Sequence, residues 1–182
     1  GIEIPMRTLA NSASIMELPA IHFDACRPGI ILYGCYPSDE VDINRLAIKP
    51  VMSVKANIVH LKDVPTGFSV GYGRKFIAER PSKIATLALG YADGYPRPYS
   101  QQAKVLVNGC VAPIAGNICM DQCMVAVQQT PIHQIREAEY GDEMTIVGRD
   151  GDEEITMDEM AQLRGTINYE VACGFGMRLE KV

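Results

Sequence analysis

The stretch Met52-Ser53-Val54-Lys55-Ala56-Asn57-Ile58-Val59 decides the fold. Met52, Val54, Ala56 and Ile58 alternate with Ser53, Lys55, Asn57 and Val59, the two-residue period of a strand with one buried face. Further along, residues 83–89 and 104–107 continue the strand theme. Asn108-Gly109, between Val105-Leu106-Val107 and Val111-Ala112, predicts a type I′ hairpin, because both central residues must take positive φ. Met144-Thr145-Ile146-Val147 reads as another strand, followed by the turn Arg149-Asp150-Gly151-Asp152. Many short strands joined by glycine-bearing turns predict a mainly β fold, a barrel or a sandwich. Residues 156–163 read as the one clear helix, with Thr156 as its cap and Asp158 and Glu159 favourable to the dipole of its first turn.

The chain before this region has another texture. Asn11 or Ser12 is placed to cap a short helical turn ahead of Ile15-Met16-Glu17-Leu18-Pro19. Arg27-Pro28-Gly29-Ile30-Ile31-Leu32-Tyr33-Gly34 is an apolar run bounded by glycines and predicts a buried strand or a strand entering a helix. Pro37-Ser38-Asp39-Glu40-Val41-Asp42 breaks the pattern. A boundary near residue 43 then separates an α/β piece, residues 1–43, from a β domain, residues 44–182.

Composition removes several functions. Of the 182 residues 47% are apolar, enough for a core and against disorder. The net charge of −5 comes without a basic cluster, which argues against nucleic acid as a partner. No apolar run reaches membrane-spanning length, and Gly1-Ile2-Glu3-Ile4-Pro5 has no signal-peptide pattern, so a soluble chain is expected. Six cysteines scattered outside framework spacings fit reduced thiols in the cytoplasm.

Three decoys carry little. Cys119-Met120-Asp121-Gln122-Cys123 has no second Cys/His pair at zinc spacing, and His22, His60 and His133 are isolated, so no metal is expected. If that segment is a strand, Cys119 and Cys123 share a face. Lys55 lies in mid-strand opposite the apolar face and has no glycine beside it to open a site, unlike a reactive amine. Asp150-Gly151-Asp152-Glu153-Glu154 lacks the alternating ligands of a calcium loop and reads as a solvated turn.

Two further segments place a tyrosine among glycines: Gly67-Phe68-Ser69-Val70-Gly71-Tyr72-Gly73 and Gly90-Tyr91-Ala92-Asp93-Gly94-Tyr95-Pro96-Arg97. Glycine lets the backbone bend and approach closely, so a phenol can be presented to a site. The plainer alternative is a pair of turns carrying core tyrosines.

These segments, with Ala10-Asn11-Ser12-Ala13, the 27–34 run, Ile118-Cys119-Met120-Asp121-Gln122 and Thr166-Ile167-Asn168-Tyr169-Glu170-Val171, stand in the order found in bacterial alanine racemases. The chain resembles the C-terminal part of that pyridoxal 5′-phosphate-dependent family along essentially its whole length. The resemblance implies that residues 1–43 are the last part of the N-terminal (β/α)8 barrel and residues 44–182 the barrel-like C-terminal β domain. The family's cofactor sits at the mouth of the barrel. The lysine that holds it belongs to an earlier part of the barrel, so these residues alone are not expected to racemise.

By the same resemblance Tyr72 is the base that removes or returns the substrate α-proton, reaching the active site of the partner subunit of a homodimer. Racemisation needs bases on both faces of the α-carbon, and a phenol serves at neutral pH only where its site stabilises the phenolate. Arg27 hydrogen-bonds the pyridine nitrogen; as a permanent donor it favours an unprotonated ring and a weaker electron sink. Ser12, Gly29, Ile30 and Tyr169 bind the cofactor phosphate. Met120 meets the substrate carboxylate through its N–H, and Tyr91 narrows the entrance, which Arg97 and Asp121 help to order. Asn117 stands where some relatives carry arginine. The implied reaction is interconversion of L- and D-alanine for cell-wall peptidoglycan. Two alternatives stay open: a serine racemase of the membrane-bound vancomycin-resistance kind, and a non-catalytic β-rich binding module.

Overall fold

The computed structural model describes residues 3–127 and 138–182. The chain divides into two compact units, Gly1–Met52 and Ser53–Val182.

In the first unit, helix α1 (Ser12–Glu17) starts at Asn11, whose side-chain oxygen accepts the Ser14 N–H at 3.0 Å. That leaves Ser12 free of the capping role and buried, together with Met16. The glycine-bounded apolar run is not a strand. It forms a 3-10 turn, Ile30–Tyr33, which Gly34 ends in the left-handed region. Only Ile30 of the turn is buried, while Leu32 and Tyr33 are exposed. Four apolar residues in a row carry no period, so the run does not distinguish a strand from a turn of helix.

The second unit is built from nine strands among the described residues. They are β1 (Val54–Val64), β2 (Ser69–Val70), β3 (Phe76–Ile77), β4 (Ser82–Leu87), β5 (Lys104–Val107), β6 (Cys110–Pro113), β7 (Cys123–Ala126), β8 (Glu143–Asp150) and β9 (Glu153–Ile155). Seven form one antiparallel sheet in the order β6-β5-β8-β1-β4-β7, with β9 on β8; β2 and β3 pair separately. An isolated antiparallel bridge, Ile114 to Val125, joins the chain after β6 to β7 and so brings the two ends of that order together. The mainly β expectation holds.

Alternation did its work in β1, where Val54, Ala56 and Ile58 are buried and Lys55 and Asn57 exposed. The β5–β6 hairpin turns at Asn108 (φ 49°) and Gly109 (φ 77°), with Val107 opposite Cys110, as a type I′ turn requires. The later turn is shorter than the sequence indicates: β8 runs through Asp150, leaving Gly151-Asp152 between it and β9.

Two helices close the chain. In α2 (Met157–Arg164) the Thr156 hydroxyl accepts the Glu159 N–H at 3.0 Å. Thr156→Ala removes that partner and is expected to lower stability by about 1 kcal/mol, read as a shift in the urea unfolding midpoint. The reading of a single helix here is corrected by α3 (Asn168–Gly174), which starts after Ile167 with no side-chain cap and so gave no start signal. Asn168 donates to Asp158 at 2.7 Å and Arg164 pairs with Glu170 at 3.0 Å, tying α3 to α2. Among the described residues no helix is long and apolar enough to cross a membrane.

Candidate functional site

Tyr72 sits at the tip of the β2–β3 hairpin. Gly71 (φ 73°) and Gly73 (φ 75°) flank it, so the chain turns sharply on both sides of the phenol. The base of the hairpin is anchored: Val70 packs in a buried cluster with Val64, Ala78, Ile84, Ala115, Met124 and Ala126, and Phe68 and Phe76 lean on it. Asn117 donates to the Tyr72 carbonyl at 2.9 Å. The result is a fixed backbone under a side chain that is 75% exposed. Tyr72 is therefore not a core tyrosine, and neither is Tyr91.

Tyr91 belongs to a 3-10 turn, Tyr91–Asp93, docked on the backbone of Cys119 and Met120. The Tyr91 N–H donates to the Cys119 carbonyl and the Ala92 N–H to the Met120 carbonyl, each at 3.0 Å. Gly90 makes this approach possible, since a β-carbon there would lie 2.3 Å from the Met120 carbonyl oxygen and 2.4 Å from that of Cys119. The Asp93 carboxylate, buried, accepts the Gly90 N–H at 2.8 Å and closes the turn.

Residues 118–122 are not a strand. Cys119 N–H donates to the Gln122 carbonyl at 2.9 Å, so Met120 and Asp121 occupy a tight turn that projects the half-exposed Met120 side chain outward. Cys119 and Cys123 therefore do not share a strand face. Cys123 is buried, which pushes its thiol up to about 12, with Cys119 nearby adding to the rise. That thiol stays protonated and inert. Among the described residues no group of three or more His, Cys, Asp or Glu is placed to hold a metal ion; His133 lies outside them.

Tyr72, Tyr91, Arg97, Cys119, Met120, Asp121 and Gln122 line one open cavity of about 660 Å³. Five residues singled out from sequence thus meet around one space: the Tyr72 and Tyr91 phenols, Met120, the Arg97 cation and the Asp121 carboxylate. Tyr169 stands apart from that lining, on α3, where burial raises the pKa of its hydroxyl and keeps it a donor.

The remaining sequence-singled residues lie in the first unit. The Gly29 N–H donates to the buried Ser12 hydroxyl at 2.9 Å, and Ile30 follows at the start of its 3-10 turn. A hydroxyl beside backbone N–H groups at the head of a turn is a donor set that suits a phosphate. Arg27, exposed, donates to the Thr8 carbonyl at 2.9 Å and to the Thr8 hydroxyl at 3.4 Å.

Sequence reading missed Arg178. Beyond α3 it pairs with Asp93 at 3.2 Å and with Asp121 at 2.6 Å, across the seam between the Tyr91 and Met120 turns. Neither periodicity nor a local motif marks a surface arginine as the partner of residues so distant in sequence.

Chemically, the cavity offers two phenols, a guanidinium and a carboxylate to a small polar molecule. The chain belongs to the alanine racemase family: the model for "Alanine racemase, C-terminal domain" matches residues 51–182, and that for "Alanine racemase, N-terminal domain" matches residues 1–37. It is 54% identical over 182 residues to alanine racemase 1 of Clostridium acetobutylicum, covering all of this chain and 46% of that protein. It is 51% identical to alanine racemase of Clostridium kluyveri, covering all of this chain and 45% of that one. Among solved structures, alanine racemase of Clostridium difficile 630 in complex with cycloserine superposes with a TM-score of 0.88 at 40% identity, over 98% of this chain and 45% of that one. The chain spans about half the length of the curated relatives it matches.

Proposed function

We propose that these residues form the C-terminal half of an alanine racemase that interconverts L- and D-alanine with pyridoxal 5′-phosphate. The observation that carries this reading is Tyr72, held on a rigid hairpin tip yet exposed beside the Met120–Tyr91 cavity. Residues 1–43 are then the close of a (β/α)8 barrel and residues 44–182 its β domain, with the stretch to Met52 leading from one to the other.

The donor sets fit the cofactor. The Ser12 hydroxyl, the Gly29 and Ile30 N–H groups and the Tyr169 hydroxyl would hold its phosphate, and Arg27 would donate to its ring nitrogen. When bound, the cofactor withdraws electrons from the substrate α-carbon and makes its proton labile. Tyr72 takes or returns that proton at its phenol oxygen on one face, and a base from the barrel serves the other. Met120 presents its N–H to the substrate carboxylate, and Tyr91 narrows the way in. The phenol is exposed at a hairpin tip and, as the family resemblance implies, acts in the site of a second copy, so that the enzyme is a homodimer. The setting is the cytoplasm, and the product D-alanine serves peptidoglycan.

The test joins this chain to a barrel half carrying the cofactor lysine, supplies pyridoxal phosphate, and follows the optical rotation of L-alanine and L-serine. Loss of rotation with L-alanine supports the reading. A faster rate with L-serine moves the substrate to serine, and no activity despite assembly and cofactor uptake favours a binding module.

A further inference from the structure

Arg178 touches two carboxylates, one in each of the two turns that meet beside the cavity. Its Nε lies 3.2 Å from Asp93 Oδ1 and its Nη2 2.6 Å from Asp121 Oδ1. The Asp93 side chain is 8% exposed, and its other oxygen is engaged by the Gly90 N–H. Asp121 is 60% exposed, lines the cavity and directly follows Met120.

We propose that Arg178 is a positioning residue for the cavity mouth, holding the Tyr91 turn against the Met120 turn and neutralising the acidic groups that would repel the substrate's carboxylate. The inference rests on the racemase reading for the substrate's charge, while the clamp itself stands on the geometry. Three physical arguments carry it. First, a buried carboxylate needs a counter-charge, because one left uncompensated in a low-dielectric site is strongly unfavourable. Arg178 supplies that charge to Asp93, and the turn closed by Asp93 carries Tyr91. Second, the guanidinium is planar and rigid with several donors, so it fixes two acceptors in one arrangement where an ammonium would hold them as a point charge. The two turns already share backbone hydrogen bonds at the seam, and Arg178 staples the same seam from outside. Third, Asp121 adjoins the Met120 N–H assigned to the substrate carboxylate. An unpaired Asp121 would repel that carboxylate at the moment of binding.

The clamp predicts a particular pattern of damage. Arg178→Ala in the full-length enzyme should raise KM for alanine about 10-fold while kcat changes less than about 3-fold, since it loosens binding and leaves the phenol in place. Arg178→Lys should recover part of the loss, and Asp121→Asn added to Arg178→Ala should lower KM again by removing the repulsion. Independently of activity, hydrogen exchange at the Gly90, Tyr91 and Ala92 amides should speed up at least about 10-fold in Arg178→Ala, with the β5–β6 hairpin unchanged.

An active wild type with unaltered KM in Arg178→Ala, or unaltered exchange at the three amides, overturns the inference. A wild-type enzyme that binds cofactor and does not racemise overturns the functional reading instead, and the exchange measurement still decides on the clamp. If Arg178→Ala fails to fold, Arg178→Gln, which keeps the aliphatic stem and an amide donor and loses the charge, gives the same comparison.

Discussion

Tyr72→Phe in the assembled enzyme should lower kcat for alanine racemisation by at least about 100-fold in both directions, with little change in KM. A positioned acid–base group contributes about 10²–10⁴-fold to such a step, and phenylalanine keeps the ring while removing the one atom that carries the proton. The hairpin does not rely on that hydroxyl: β2 and β3 are held by the Val64, Val70 and Ile84 cluster, and Asn117 bonds the Tyr72 carbonyl rather than its side chain. The variant should therefore unfold at the wild-type temperature. Solvent deuterium incorporated at the α-carbon of recovered substrate gives a second check, because one surviving base on the barrel side exchanges the proton without inverting the centre. Racemisation at wild-type rate would remove Tyr72 from the mechanism.

The second large effect is expected at Gly90. Its φ of −145° is open to any residue, so Gly90→Ala isolates a steric term. The added methyl would stand 2.3 Å from the Met120 carbonyl oxygen and 2.4 Å from that of Cys119, both backbone atoms with no rotamer to yield. The Tyr91 turn must lift away and forfeit its two hydrogen bonds to those carbonyls. Overpacking of about 1–3 kcal/mol and two hydrogen bonds of about 1 kcal/mol each predict a loss of about 3–5 kcal/mol, read from denaturant unfolding. The cavity should widen as well, so cofactor-loaded enzyme should lose alanine affinity along with stability. A variant as stable as wild type would mean that the seam relaxes at no cost.

What the sequence disclosed follows from how local each signal is. The alternation in β1, the Asn108-Gly109 turn and the Thr156 cap involve residues within a few positions of one another, and each appears in the structure, with the strand starting at Val54 rather than at Met52. The Tyr72 and Tyr91 segments were legible because glycine beside tyrosine states that a backbone must come close to something. What it approaches was not: the partner of Gly90 is the backbone of Cys119 and Met120, which no pattern at either place announces. The 27–34 run misled because four apolar residues suit a strand or a 3-10 turn equally, and α3 escaped because Ile167 cannot cap it. Arg178 was invisible for a related reason, since its meaning lies entirely in two acids far earlier in the chain.

That separation orders the birth of the molecule. As the chain leaves the ribosome, the strands that flank Tyr91 are available to pair long before α3 and Arg178 exist. Gly94 has its place in the finished structure against the Gly174 carbonyl, where a β-carbon would come within 2.1 Å, and among the described residues Asp93 takes its counter-charge from Arg178. Until those residues emerge, the nascent domain holds a sheet without a finished mouth. A product cut short between Gly165 and Arg178 would keep the sequence of every strand and lack the counter-charge of Asp93, so trimming there is expected to loosen the mouth ahead of the sheet.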